Sequence, residues 1–230
     1  MCLRSLLFFT AVLTLFAAAC GNNSDNILTK TENDGKLTIY TTVYPLTYFA
    51  ERIGGEYVNV ASIYPTGANE HSFEPTQRNM MDLADADLFF YIGLGLEGFV
   101  DKAKRTLNNE NVEMIATADT LTDVELESGK MHDEEHEHGE DGHEEHHHGD
   151  LDPHVWISPV LSQKLSLSIK NALIDNDPEH EEFYTENYEK LIAELNQLDA
   201  DFQTMADNAE NKTLFVSHAA FGYLARTVWT

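Results

Sequence analysis

Apolar and polar residues alternate over residues 37–43, as along a strand with one buried face. Pro45 then opens a helical spacing in which Leu46, Phe49, Ala50 and Ile53 share one side, and Gly54-Gly55 closes it. The rhythm repeats: strands are predicted over 57–64, 88–92 and 112–116, and helices over 76–86 and 96–107. Strand and helix in strict alternation predict an α/β fold with parallel strands joined by crossover helices, and such sheets bind ligands beyond the carboxyl ends of their strands. His71, in the loop after the second strand, lies where that rule puts a ligand.

Residues 133–150 break the rhythm. Glu, Asp, Gly and His follow one another there with no apolar residue to bury, which predicts a disordered loop. Beyond it, helical spacing returns over 161–174, and Asp177-Pro178-Glu179 starts a long helix whose apolar side includes Phe183, Leu191, Leu195, Leu198 and Phe202 and which runs to about residue 209. At about 1.5 Å per residue, a helix of that length approaches the diameter of a small domain, which suits a rod between two lobes better than a crossover within one. Residues 213–217 read as the first strand of a second sheet, with His218 at its carboxyl end and Ser217 as cap of the helix that follows.

The amino terminus changes the picture from fold to location. A weakly basic start at Arg4 precedes an apolar run over 6–16 that is too short to span a bilayer comfortably, and Ala17-Ala18-Ala19-Cys20-Gly21 has the form of a lipobox. An export signal follows from this, with Cys20 lipidated; a plain cleaved signal with Cys20 unmodified is the duller alternative. Residues 21–36 then serve as a tether. The only other cysteine, Cys2, falls inside the signal, so stability must come from the core rather than a disulfide. The formal net charge of -26 at pH 7 excludes nucleic acid as a partner, since nothing forms a basic patch.

Candidate chemistry centres on histidine. His71 sits in Gly-Ala-Asn-Glu-His-Ser-Phe-Glu-Pro, His154 in Asp-Pro-His-Val-Trp-Ile-Ser-Pro, and His218 in Ser-His-Ala-Ala-Phe-Gly-Tyr-Leu-Ala. Proline and glycine constrain the first two settings, and Asp152 stands close enough to His154 to fix its tautomer. Taken singly, each histidine has an ordinary explanation: solvated loop, turn packed beside Trp156, or core boundary. Taken together they point to a metal, and imidazole suits zinc best. Glu70 is either an oxygen donor beside His71 or a carboxylate facing solvent. The run of His132, His136, His138, His143, His146, His147 and His148, interleaved with acids, is either a solvated charge run or a weak zinc-collecting insert.

From residue 37 to 226 these motifs resemble the metal-binding solute-binding lipoproteins that feed ABC-type importers, in the branch for zinc. The resemblance implies a two-lobed periplasmic-binding-type fold, each lobe a parallel sheet with crossover helices, joined by one long helix. It implies His71, His154 and His218 as zinc ligands, with zinc as the transported ion, and a histidine-rich insert of this kind is common in the zinc branch. Related manganese binders carry a carboxylate in place of His218. The family's fourth ligand, an acidic residue late in the second lobe, has no counterpart before residue 230, so the second lobe is expected to be incomplete here. The resulting layout is a signal peptide with lipobox over 1–20, a tether over 21–36, an N-terminal lobe over 37–177 with the insert at 132–150, a linking helix over 178–209, and the truncated start of a C-terminal lobe over 210–230. The partners implied are an ABC-type permease and the membrane that holds the Cys20 lipid, on the extracytoplasmic face, with the protein a monomer and not an enzyme. Two rival functions remain: a zinc hydrolase with a three-histidine site, against which stands the lack of a His-Glu-x-x-His helix, and a surface zinc buffer or adhesion factor that uses the insert.

Overall fold

The computed structural model describes residues 35–127, 151–211 and 213–228; Cys20, most of the tether and the histidine run from His132 to His148 lie outside them. Four strands form one parallel sheet: β1 (Leu37–Thr41), β2 (Val58–Ser62), β3 (Leu88–Tyr91) and β4 (Glu113–Ala116), in the order β2-β1-β3-β4. The helices are α1 (Tyr44–Gly54), α2 (Gln77–Ala84), α3 (Val100–Thr106), α4 (Asp123–Glu127), α5 (Pro159–Asn176), α6 (Glu181–Asp207) and α7 (Gly222–Val228).

Both faces of the sheet are covered. Ile39, Leu88 and Phe90 pack with Leu46 and Phe49 of α1, Leu165 and Ile169 of α5 and Leu191 of α6; Tyr40, Phe89 and Tyr91 pack on the other face with Leu83 of α2 and Val100 and Ala103 of α3. Successive strand residues thus feed opposite cores, which is why β3 reads Leu-Phe-Phe-Tyr with no polar break. Burial of each such large side chain stabilises by about 1.5–3 kcal/mol. Gly55, at φ 53°, ends α1; a β-carbon there would lie 2.8 Å from the Phe183 ring, so the turn also lets α6 approach α1. The packing of the two helices is completed by Arg52 with Glu194 at 2.6 Å and by the Asn187 amide donating to the Ile53 carbonyl at 3.2 Å. No helix among the described residues is long and apolar enough to cross a membrane.

Three details correct the sequence reading. Residues 213–217 are irregular rather than a strand, with Phe215 92% exposed and Leu214 and Val216 partly so; a strand needs a neighbour for its N–H and C=O groups, and no strand pairs with this segment among the described residues. Consequently Ser217 does not cap α7, which starts at Gly222. The third helix begins at Val100 instead of residue 96, because Gly93, Leu94 and Gly95 all have positive φ and Glu97 turns back onto the end of β3. Leu198, expected on the apolar side of α6, faces solvent at 45% exposure, while Tyr184, not counted there, is fully buried.

Candidate metal centre

The loop from β2 to α2 carries Glu70 and His71. Its course is set locally: the Asn69 side-chain oxygen accepts the His71 N–H at 2.9 Å, the Asn69 carbonyl accepts the Ser72 N–H, and Gly67 takes a φ of 81°. Thr76 then caps α2 in a reciprocal box with Asn79. Tyr64 closes the loop from below, its hydroxyl reaching the Glu70 carbonyl at 3.4 Å and its ring resting against Phe73.

His154 has a different setting. Asp152-Pro153 leads into a single 3-10 turn at Val155–Ile157, after which Ser158 caps α5 and Pro159 occupies its first turn. One oxygen of Asp152 accepts both the His154 backbone N–H at 2.9 Å and its ring Nδ1 at 2.6 Å. A carboxylate only accepts, so the ring proton sits on Nδ1 and Nε2 presents a lone pair. His154 is 6% exposed, and its ring stands 5.2 Å from that of Trp156.

His218 arrives from the irregular segment before α7, where the Ala220 N–H bonds back to the His218 carbonyl. Its Nε2 lies 2.9 Å from Nε2 of His154, and Nε2 of His71 lies 3.3 Å from that same atom. Glu70 completes the group: one ligand atom from each of Glu70, His71, His154 and His218 falls within 4.8 Å of the others. Two nitrogens bound to one zinc ion at about 2.05 Å and the tetrahedral angle stand about 3.3 Å apart. The His71 to His154 separation already has that value, whereas His218 must draw back by a few tenths of an ångström. The lone pair on His154 thus faces the ring nitrogens of both His71 and His218, an arrangement in which one cation at the centre could take a lone pair from each ring.

The structure therefore brings together all three histidines singled out in the sequence and turns Glu70 toward them. His180 is elsewhere, stacked on Tyr57 with ring centroids 3.6 Å apart and bonded to Asp177. Sequence reasoning missed Tyr223. Its buried hydroxyl donates to the Asp152 carbonyl at 2.7 Å and approaches the Leu126 carbonyl at 3.3 Å, docking α7 on the turn that holds His154. Burial, with the nearby Asp152 charge, pushes this hydroxyl up to about 12, so it keeps its donor proton at ordinary pH. Its only signal was an aromatic residue five places after His218.

Residues 39–228 match the family described as the zinc-uptake complex component A, periplasmic. The chain belongs to that family. It is 36% identical over 220 residues to the high-affinity zinc uptake system protein ZnuA of Bacillus subtilis, covering 96% of this chain and 67% of that protein. It is 34% identical over 220 residues to the zinc-binding lipoprotein AdcA of Streptococcus pneumoniae, covering 95% of this chain and 41% of the relative. Among solved structures, the Zn(II)-bound ZnuA-like domain of Streptococcus pneumoniae AdcA superposes with a TM-score of 0.68 at 30% identity, over 85% of this chain and 65% of that one. The chain thus spans from about two fifths to two thirds of these proteins.

Proposed function

We propose that this protein captures a zinc ion outside the cytoplasm and passes it to an ABC-type membrane permease. The observation that carries the proposal is the convergence of the His71, His154 and His218 nitrogens, with a Glu70 oxygen, in a space the size of one ion. In this reading the ion is cargo: His71, His154 and His218 hold it, Glu70 supplies the oxygen donor, and Asp152 orients His154 without touching metal. Imidazoles in the majority favour zinc over harder ions such as manganese. Family membership and the zinc-binding relatives support the same choice. Lipid attachment at Cys20 would keep the binder beside its permease, and the histidine run from His132 to His148 would collect zinc weakly near the site.

Competition against a chromophoric zinc chelator tests the reading. One tight site is expected, and it should survive replacement of His132, His136, His138, His143, His146, His147 and His148 by asparagine, with only the weak sites lost. Disappearance of the tight site in that variant would overturn the proposal in favour of a zinc buffer built on the histidine run.

A further inference from the structure

Glu97 is 5% exposed, yet it takes no part in the metal cluster. One of its oxygens accepts the Thr42 hydroxyl and the Ile92 N–H, both at 2.8 Å, and the other accepts the Gly93 N–H at 3.0 Å. Thr42 follows β1 and Ile92-Gly93 follows β3, so one carboxylate spans the carboxyl ends of the two central strands. A series of bonds continues toward the metal centre. The Thr42 carbonyl accepts the Ser62 hydroxyl at 2.8 Å, the Ser62 oxygen accepts the Tyr64 N–H at 3.1 Å, and the Tyr64 hydroxyl reaches the Glu70 carbonyl. A parallel apolar route runs from Phe99, two residues past Glu97, to Phe73 at 5.8 Å and from Phe73 to Tyr64 at 4.8 Å.

From this connected path we infer that Glu97 is a positioning residue for the metal site: it locks the strand ends and, through Thr42, Ser62 and Tyr64, holds the loop that presents Glu70 and His71. The inference rests on the zinc-binding reading above. A carboxylate is an expensive choice for this place, since burial pushes the Glu97 carboxyl above the usual carboxylate range against the pull of its Ile92, Thr42 and Gly93 donors. An apolar side chain would avoid that cost but would strand two backbone N–H groups and a hydroxyl, in a turn whose Gly93, Leu94 and Gly95 already have positive φ. What the carboxylate supplies is a fixed floor for His71, which is otherwise an exposed loop residue. Cleft ligands gain from such support because a metal site tolerates little looseness in its donors.

The test uses the full chain with Glu97→Ala, Glu97→Gln and Tyr64→Phe. It reads amide exchange without metal, zinc affinity by chelator competition, and the visible absorption of one bound equivalent of cobalt(II). In Glu97→Ala, exchange over residues 64–75 should quicken at least tenfold while α5 and α6 keep their protection. Zinc affinity should fall about tenfold with an altered cobalt spectrum, Glu97→Gln should recover part of the loss, and Tyr64→Phe should change in the same direction by less. Unchanged loop exchange in folded Glu97→Ala, or loosening of α5 and α6 as great as that of the loop, overturns the inference. If Glu97→Ala does not fold, Tyr64→Phe decides, and parental loop exchange and affinity in that variant refute it. A parent protein with no tight zinc site sinks the reading of the site instead, and the exchange data still judge the strut.

Discussion

His154 and His218 present the same atom to the same point, but the chain delivers them in opposite ways. His154 is buried, fixed by two bonds to one Asp152 oxygen, and anchored by a capped 18-residue helix. His218 is exposed and sits in an irregular segment beside the exposed Leu214, Phe215 and Val216. One ligand is in place before an ion arrives. The other has fewer contacts to hold it, so the ion is expected to do more of its ordering, and fixing backbone costs about 1–2 kcal/mol per residue. A site built this way would grip with its rigid part and open through its exposed part, in keeping with the proposed role of binding an ion and passing it on.

The sharpest way to break the comparison is to remove each ring in turn. His154→Ala should weaken zinc binding about a thousandfold, or about 4 kcal/mol, because its nitrogen faces both of the others. His218→Ala should cost about a hundredfold, since without that ring the ion no longer has to order the segment, and this saving offsets part of the missing bond. Chelator competition on both variants checks this, and a larger effect for His218 would reverse the assignment of rigid and mobile partners.

Asp152→Asn sharpens the claim of rigidity. The amide oxygen still accepts from the backbone and ring nitrogens, but without the charge that raises the ligand strength of the imidazole, and partners of this kind are worth about 10–100-fold in metal affinity. The lower end of that range is expected, with the thermal midpoint of the metal-free protein little changed. An unaltered zinc affinity would remove Asp152 from the account.

Tyr223→Phe has the smallest expected effect. It deletes the hydroxyl that ties α7 to the Asp152 carbonyl, worth about 1 kcal/mol of stability, and should weaken zinc binding only a few fold. Urea unfolding followed by zinc titration measures both. A loss in zinc affinity as large as that of His218→Ala would mean that α7, not the ion, is what holds His218 in place.

Legibility in the sequence followed the same divide. The helix from Pro45, the buried strand at Leu88 and the long helix after Pro178 announce themselves through apolar spacing and proline, because each is fixed by local geometry and one continuous core. Motif settings also marked His71, His154 and His218 before any distance was known. The segment at 213–217 misled, since an apolar run reads as a strand whether or not a neighbouring strand is there to pair with it. Glu97 was illegible for a related reason: at the start of the helix expected from residue 96 it looks like a first-turn carboxylate in water, and only the tertiary approach of Thr42, Ile92 and Gly93 makes it a buried one. The role of Glu70 was likewise undecided by spacing alone, since a turn, and not a helix or strand, sets the direction of two adjacent side chains.

The most direct test of the central claim is a crystal structure of the zinc-loaded protein with anomalous data collected across the zinc edge. One strong peak is expected at the centre of the cluster, about 2.0–2.2 Å from Nε2 of His71, His154 and His218 and from an oxygen of Glu70. The shortest gap, between His218 and His154, should open from 2.9 Å to about 3.3 Å, while the Asp152 bond to His154 stays in place. A tight-binding ion found away from these four residues, or one bound there without His154, would contradict the account.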